Sequence, residues 1–77
     1  MIEEIKDLAY YLSLECAYKY KFAIPKIVVQ NLIKKYPSIE KKELLEYSRE
    51  ICKLVNRMSD NEIQTALNKE RTKRNKG

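Results

Sequence analysis

Glycine and proline are almost absent from this chain, and their scarcity limits the folds open to it. Of the 77 residues one is glycine, the last, and two are proline, at positions 25 and 37. Strands joined by hairpins need frequent tight turns, which these two residues commonly build. The sequence therefore predicts an all-α fold: a small bundle of three main helices, a short fourth helix and a basic C-terminal tail.

A chain of this length predicts one domain with a small core. It buries roughly 60–65% of its unfolded surface, so its own core contributes only a few kcal/mol. We expect a single helical domain over residues 1–68 and a frayed or disordered tail over residues 69–77. Chains of this size often gain further stability by oligomerisation.

Two apolar stripes at helical spacing predict a first helix over about residues 2–21. One stripe consists of Ile5, Leu8, Ala9, Leu12 and Cys16. The other consists of Tyr11, Leu14, Tyr18 and Phe22, on nearly the opposite side. A helix that is apolar on two faces is sandwiched, either inside the monomer or between subunits. The second stripe is therefore a candidate interface, and a homodimer is the hypothesis that it suggests.

Prolines mark both ends of the second predicted helix. Pro25 suits a first helical position, because its missing N–H would have no partner there. Pro37 disfavours helical backbone at Tyr36, so the helix should stop at that residue. Ser38 then predicts the N-cap of a third helix that runs to about Met58.

The fourth helix has the strongest local signal in the chain. Ser59 and Glu62 have the spacing of a capping box, and Met58 and Ile63 occupy the positions of a hydrophobic staple. The apolar stripe that follows stops at Leu67, so we expect packing to end near that residue.

Residue types needed for catalysis are missing. The chain has no histidine, the commonest general base and metal ligand, and its one glycine cannot build a phosphate-binding loop. Four glutamates, at positions 40, 43, 46 and 50, alternate with basic residues on what should be a solvated helix face. We therefore expect no enzyme activity, no cofactor and no metal site.

Cys16 and Cys52 are interpreted as small buried residues, with a helix-to-helix disulfide as the alternative.

Positive charge is concentrated in two blocks of the sequence. Residues 21–37 contain four lysines and no acid, and residues 63–77 contain five basic residues and one acid. Separated basic blocks favour a polyanionic partner, most often nucleic acid. The leading hypothesis is therefore a small, non-catalytic nucleic-acid-binding protein.

The predicted contacts lie on the exposed face of the second helix and in the tail. Lysine and arginine neutralise phosphates, while asparagine and glutamine contact phosphates or base edges. The candidate residues are Lys26, Gln30, Asn31, Lys34 and Lys35, together with Lys69, Arg71, Lys73, Arg74 and Lys76. A helix-turn-helix is disfavoured, because the third helix would bring acidic residues to the phosphates.

The alternative function is a protein-interaction module, a small subunit or adaptor that docks through the stripe of Tyr11, Leu14, Tyr18 and Phe22.

No apolar run approaches the ~18 residues needed to cross a bilayer, so no membrane association is expected. The chain starts with Met1, Ile2, Glu3 and Glu4, unlike a secretory signal, and the expected location is the cytoplasm.

Overall fold

The computed structural model describes residues 1–75 as four α-helices joined by short connections. The helices are α1 (Ile2–Tyr20), α2 (Pro25–Lys35), α3 (Lys41–Val55) and α4 (Asp60–Arg74). No strand occurs in this part of the chain. The predicted all-α bundle is confirmed.

α1 lies at the centre of the bundle and packs against all three other helices. Its Ser13 hydroxyl lies 3.4 Å from the Cys52 thiol of α3, while Arg74 of α4 lies over the Tyr11 ring. The helix is therefore buried on two sides within a single chain. Its wholly buried residues join those of the other helices in one core, which includes Ile5, Ala9, Leu14, Val28, Leu32, Leu44 and Val55.

α2 has the boundaries that its two prolines predict. Ile24 has extended backbone, and Pro25 occupies the first turn. The helix ends at Lys35, and Tyr36 leaves the helical conformation before Pro37. The backbone preferences that the two prolines impose therefore set both ends of this helix.

α3 is shorter than the sequence predicted. Its N-cap is Glu40 rather than Ser38, because the chain first makes a turn in which the Ile39 amide donates to the Tyr36 carbonyl at 3.2 Å. At the other end the helix stops at Val55. The Met58 amide then donates to the Val55 carbonyl three residues back, a tightening that is common where a helix ends.

α4 begins with the predicted capping box. The Glu62 amide donates to the Ser59 hydroxyl at 3.2 Å, and the Ser59 amide donates to the Glu62 carboxylate at 2.8 Å. The helix does not end near Leu67, however, but continues to Arg74. Residues 69–74 are thus helical rather than frayed, and α4 has the same 15-residue length as α3.

The connection between α1 and α2 starts with an unusual backbone conformation. Lys21, the C-cap of α1, has φ of 68°, in the left-handed region. Glycine is the residue that usually occupies this position, because a Cβ atom is disfavoured there. The left-handed residue ends α1 and turns the chain towards Pro25.

Candidate nucleic-acid interface

α2 carries a polar face that is exposed along the helix. Lys26, Gln30 and Lys34 are spaced by four residues, so they form one row, and all three are exposed. Asn31 and Lys35 lie beside the row and are also exposed. Two valines and a leucine bury the opposite side and fix the rotation of the helix. These five polar residues are called the α2 face.

The charge of the α2 face is not offset on its own helix. α2 contains no acidic residue, and its three lysines form no ion pair within residues 1–75. Lys26 lies in the first turn, where the helix dipole is already positive. The N-terminal end of the face therefore has added positive potential.

The basic residues of α4 are held differently, because acids of α1 neutralise them. The Arg74 guanidinium lies 3.0 Å from a carboxylate oxygen of Asp7, and the Lys73 ammonium lies 3.4 Å from the other oxygen. The Arg71 guanidinium lies 3.8 Å from the Glu15 carboxylate. These contacts dock the end of α4 on α1 and reduce the charge that it offers to a polyanion.

Glu70 of α4 also pairs with Arg74, at 3.3 Å. Two predicted tail contacts remain, Lys69 and Lys76. Lys69 is exposed and forms no ion pair in the part of the chain that the structure describes. Lys76 lies outside the described residues. The structure therefore leaves the α2 face and Lys69 as the predicted contacts without an acidic partner among residues 1–75.

The second stripe of α1 is covered only in part, with Tyr11 and Leu14 less exposed than Tyr18 and Phe22. Leu14 is wholly buried in the core. The Arg74 guanidinium lies 4.5 Å from the centre of the Tyr11 ring, and the Arg71 guanidinium lies 5.8 Å from that of Tyr18. Cation–π contacts of this kind add to the ion pairs that hold the two helices together.

The stripe also does not extend to Phe22 as a single face. Phe22 follows the left-handed Lys21 and lies outside α1, and its ring is 55% exposed. Tyr18 is 53% exposed, so the structure separates two exposed aromatic residues from the covered Tyr11 and Leu14. A partner at Tyr18 or Phe22 stays a prediction.

A basic groove that the sequence analysis missed lies between α3 and the connection to α2. Arg49, Lys53 and Arg57 line it with Phe22 and Pro25, and its volume is about 520 Å³. No acid lines the groove. The sequence pattern places these bases among the acids of a mixed solvated face, although their spacing by four residues is a usable signal.

Burial and nearby acids shift the pKa values of three groups. Burial raises the pKa of the Cys52 thiol above its ordinary 9.0. The hydrogen bond that Tyr47 donates to Glu43 raises the pKa of Tyr47, and burial does the same for Tyr11. Each of these groups is therefore held in its neutral, protonated form near neutral pH.

No group of acidic and sulfur ligands within residues 1–75 could hold a metal ion. None of the four described helices combines the length and apolar character that crossing a bilayer requires. Comparisons with protein-family models, curated proteins and solved structures found no match to this chain.

Proposed function

We propose that this protein is a small, non-catalytic nucleic-acid-binding protein whose main contact surface is the α2 face. The observation that supports the proposal is a contrast between the two basic blocks. The lysines of α2 are exposed without an acidic partner within residues 1–75, whereas Arg71, Lys73 and Arg74 are paired with acids. Exposed lysines that share one face are suited to neutralise successive phosphates.

Gln30 and Asn31 add hydrogen-bonding groups to the same face. The Asn31 amide nitrogen donates to the Ile27 carbonyl at 3.1 Å, which holds this exposed side chain along the helix. Amide side chains contact phosphates or base edges, so they add selectivity to a surface dominated by charge.

Binding titrations against duplex DNA, single strands and structured RNA at several salt concentrations test the proposal. Lys26→Gln with Lys34→Gln should weaken binding and reduce the slope of log K against log salt by about 1.8 on duplex DNA. The matched control is Lys41→Gln with Lys42→Gln, which removes the same charge beside Glu40 and Glu43 on α3. Absence of binding to any of the three at low salt would refute the proposal.

The interaction module remains the second candidate, and it now depends on fewer residues. Tyr18, Tyr20 and Phe22 are at least half exposed and lie close together in the sequence at the end of α1. Sedimentation of the wild-type protein across a range of concentrations tests it. A dimer that Tyr18→Glu dissociates would support this candidate, and a monomer at every concentration would remove the homodimer.

A further inference from the structure

Phe22 stands at the edge of the basic groove and is held there by its neighbours. The side chain of Asn56 accepts from the Ala23 amide at 2.7 Å and donates to the Ala23 carbonyl at 3.0 Å. On the other side, the Cys16 thiol lies 3.5 Å from the Phe22 carbonyl and 3.4 Å from the Ile24 amide. The backbone that carries the exposed ring is therefore fixed on both sides.

An exposed aromatic ring carried on a held backbone is suited to bind a planar ligand. Because the backbone is already ordered, its conformational entropy need not be lost when a partner stacks on the ring. The 55% exposure of Phe22 contrasts with the complete burial of Ala23 next to it. The connection thus anchors one residue in the core and presents the next to solvent.

Three cations lie in the same groove, two on α3 and one just after it. Arg49 and Lys53 are four residues apart on α3, about 6 Å along its axis, and Arg57 lies in the turn that follows the end of α3 at Val55. They form no ion pair within residues 1–75, although Glu46 and Glu50 lie on the same helix. The groove therefore combines an aromatic platform with a row of phosphate-binding groups.

We infer that this groove binds single-stranded nucleic acid, with one base stacked on Phe22 and the neighbouring phosphates on Arg49, Lys53 and Arg57. The inference rests on the proposed function and deepens it. A duplex keeps its bases stacked on one another, so only an unpaired base offers a face to Phe22. Pro25 lines the groove and starts α2, so the bound strand can continue to Lys26 and the α2 face.

The single phenylalanine provides a direct test by NMR. With ring-labelled phenylalanine, a short single-stranded oligodeoxyadenylate should move the Phe22 ring protons upfield, because a stacked purine shields them. Inorganic polyphosphate supplies phosphates without bases and should leave the ring protons nearly unmoved. A ring signal that does not respond at saturating oligonucleotide overturns the inference. So does a shift caused by raising the protein concentration alone, which would assign Phe22 to a contact between two copies.

Substitutions test the two parts of the groove separately. Phe22→Ala should weaken single-strand binding about five-fold or more and leave duplex affinity unchanged. Tyr20→Ala, which removes a similarly exposed ring outside the groove, is the matched control and should have little effect. Equal losses for Phe22→Ala on single strands and duplexes would contradict stacking.

The cations are tested by Lys53→Gln with Arg57→Gln. The pair should weaken single-strand binding more than Lys41→Gln with Lys42→Gln, which removes equal charge at the other end of α3.

The same variants distinguish failure of this inference from failure of the proposed function. If Lys26→Gln with Lys34→Gln weakens binding while Phe22→Ala and the groove pair do not, the α2 face stands and the groove is excluded. If wild-type protein binds no nucleic acid, both are refuted.

Discussion

Arg74, the last residue of α4, binds Asp7 in the second turn of α1. One of its guanidinium nitrogens lies 3.0 Å from the Asp7 carboxylate and 3.2 Å from the Asp7 carbonyl, and the guanidinium also lies over the Tyr11 ring. Side chains 67 positions apart in sequence thus close the bundle at the end of the described chain. The contact explains how a helix whose apolar stripe stops at Leu67 remains docked for two more turns.

Arg74→Ala should therefore destabilise the protein. A half-exposed ion pair contributes about 0.2–1 kcal/mol and a cation–π contact about 0.5–1 kcal/mol, so we expect a loss of roughly 1 kcal/mol. In a domain of this size that lowers the melting temperature by about 4–8 °C in thermal melts at low salt. Lys69→Ala is the control, since Lys69 has no acidic partner within residues 1–75. Equal melting temperatures for Arg74→Ala and wild type would mean that the end of α4 is not docked in solution.

The two serines that sequence patterns marked as N-caps should differ in their effect on stability. Ser59→Ala removes one of the two hydrogen bonds of the capping box and should cost about 0.5–2 kcal/mol. Ser38→Ala should change little, because Ser38 lies two residues before Glu40, the N-cap position of α3, and makes no side-chain hydrogen bond among the described residues. Chemical denaturation of both variants checks the pair. A larger loss for Ser38→Ala would restore the boundary that the sequence predicted for α3.

Lys21→Gly should stabilise the protein, which is unusual for a glycine substitution. The Cβ atom of a lysine at φ of 68° destabilises the folded state by about 1–2 kcal/mol. Glycine removes this cost and adds a smaller one of about 0.5–1 kcal/mol, because its backbone loses more conformational entropy on folding. The expected net gain is roughly 1 kcal/mol. Lys19→Gly, two residues earlier and within α1, should have the opposite sign, because glycine inside a helix costs about 1 kcal/mol. Thermal melts that give both variants the same sign would show that Lys21 is not left-handed in solution.

The buried thiol of Cys52 predicts a specific response to pH. Because burial raises the pKa of Cys52, the folded state holds its proton more tightly than the unfolded state. The resulting stabilisation is complete below the ordinary thiol pKa of 9.0 and is lost as pH rises through the higher folded value. The free energy of unfolding should therefore fall above about pH 9. In Cys52→Ala the fall should be shallower and should begin nearer pH 10, where Tyr11 and Tyr47 act in the same direction.

Thiol labelling provides an independent measurement of the same environment. Cys16 and Cys52 are both free thiols and both buried. A thiol-specific reagent at pH 8 should modify them slowly in the native protein and rapidly in denaturant, because the thiolate is the reactive form and burial blocks access. Fast labelling of native protein would contradict the packing around both cysteines.

Local signals in the sequence predicted those parts of the fold that depend on neighbouring residues. Pro25 sets the start of α2 and Ser59 with Glu62 sets the start of α4, since each acts on backbone within one turn. The extent of α4 was missed because its apolar stripe stops at Leu67. Glu70 and Arg74, paired at i,i+4, were a local sign that the helix continues.

The candidate site was predictable only where it depends on a single helix. The row of Lys26, Gln30 and Lys34 follows from helical spacing alone, and the structure exposes it. Pairing of Arg74 with Asp7 joins opposite ends of the chain, so no local pattern contains it. The groove at Phe22 likewise requires knowledge of how the α1–α2 connection crosses α3.

Asp7→Asn should change stability and nucleic-acid affinity in opposite directions, because the Asp7 carboxylate pairs with both Lys73 and Arg74 of α4. Losing the carboxylate removes the ion pairs to Lys73 and Arg74, so the free energy of unfolding should fall by roughly 1 kcal/mol. The same loss leaves Glu70 as the one acid paired with these two cations within residues 1–75, so nucleic-acid affinity should rise, and the slope of log K against log salt should steepen by less than about 1.8 on duplex DNA. Glu40→Gln makes the same change in net charge at an exposed acid that has no ion pair within residues 1–75. Titrations of both variants beside wild type measure the difference. If Asp7→Asn and Glu40→Gln raise affinity equally, net charge alone accounts for the effect, and the ion pairs of α4 do not limit its contact with nucleic acid.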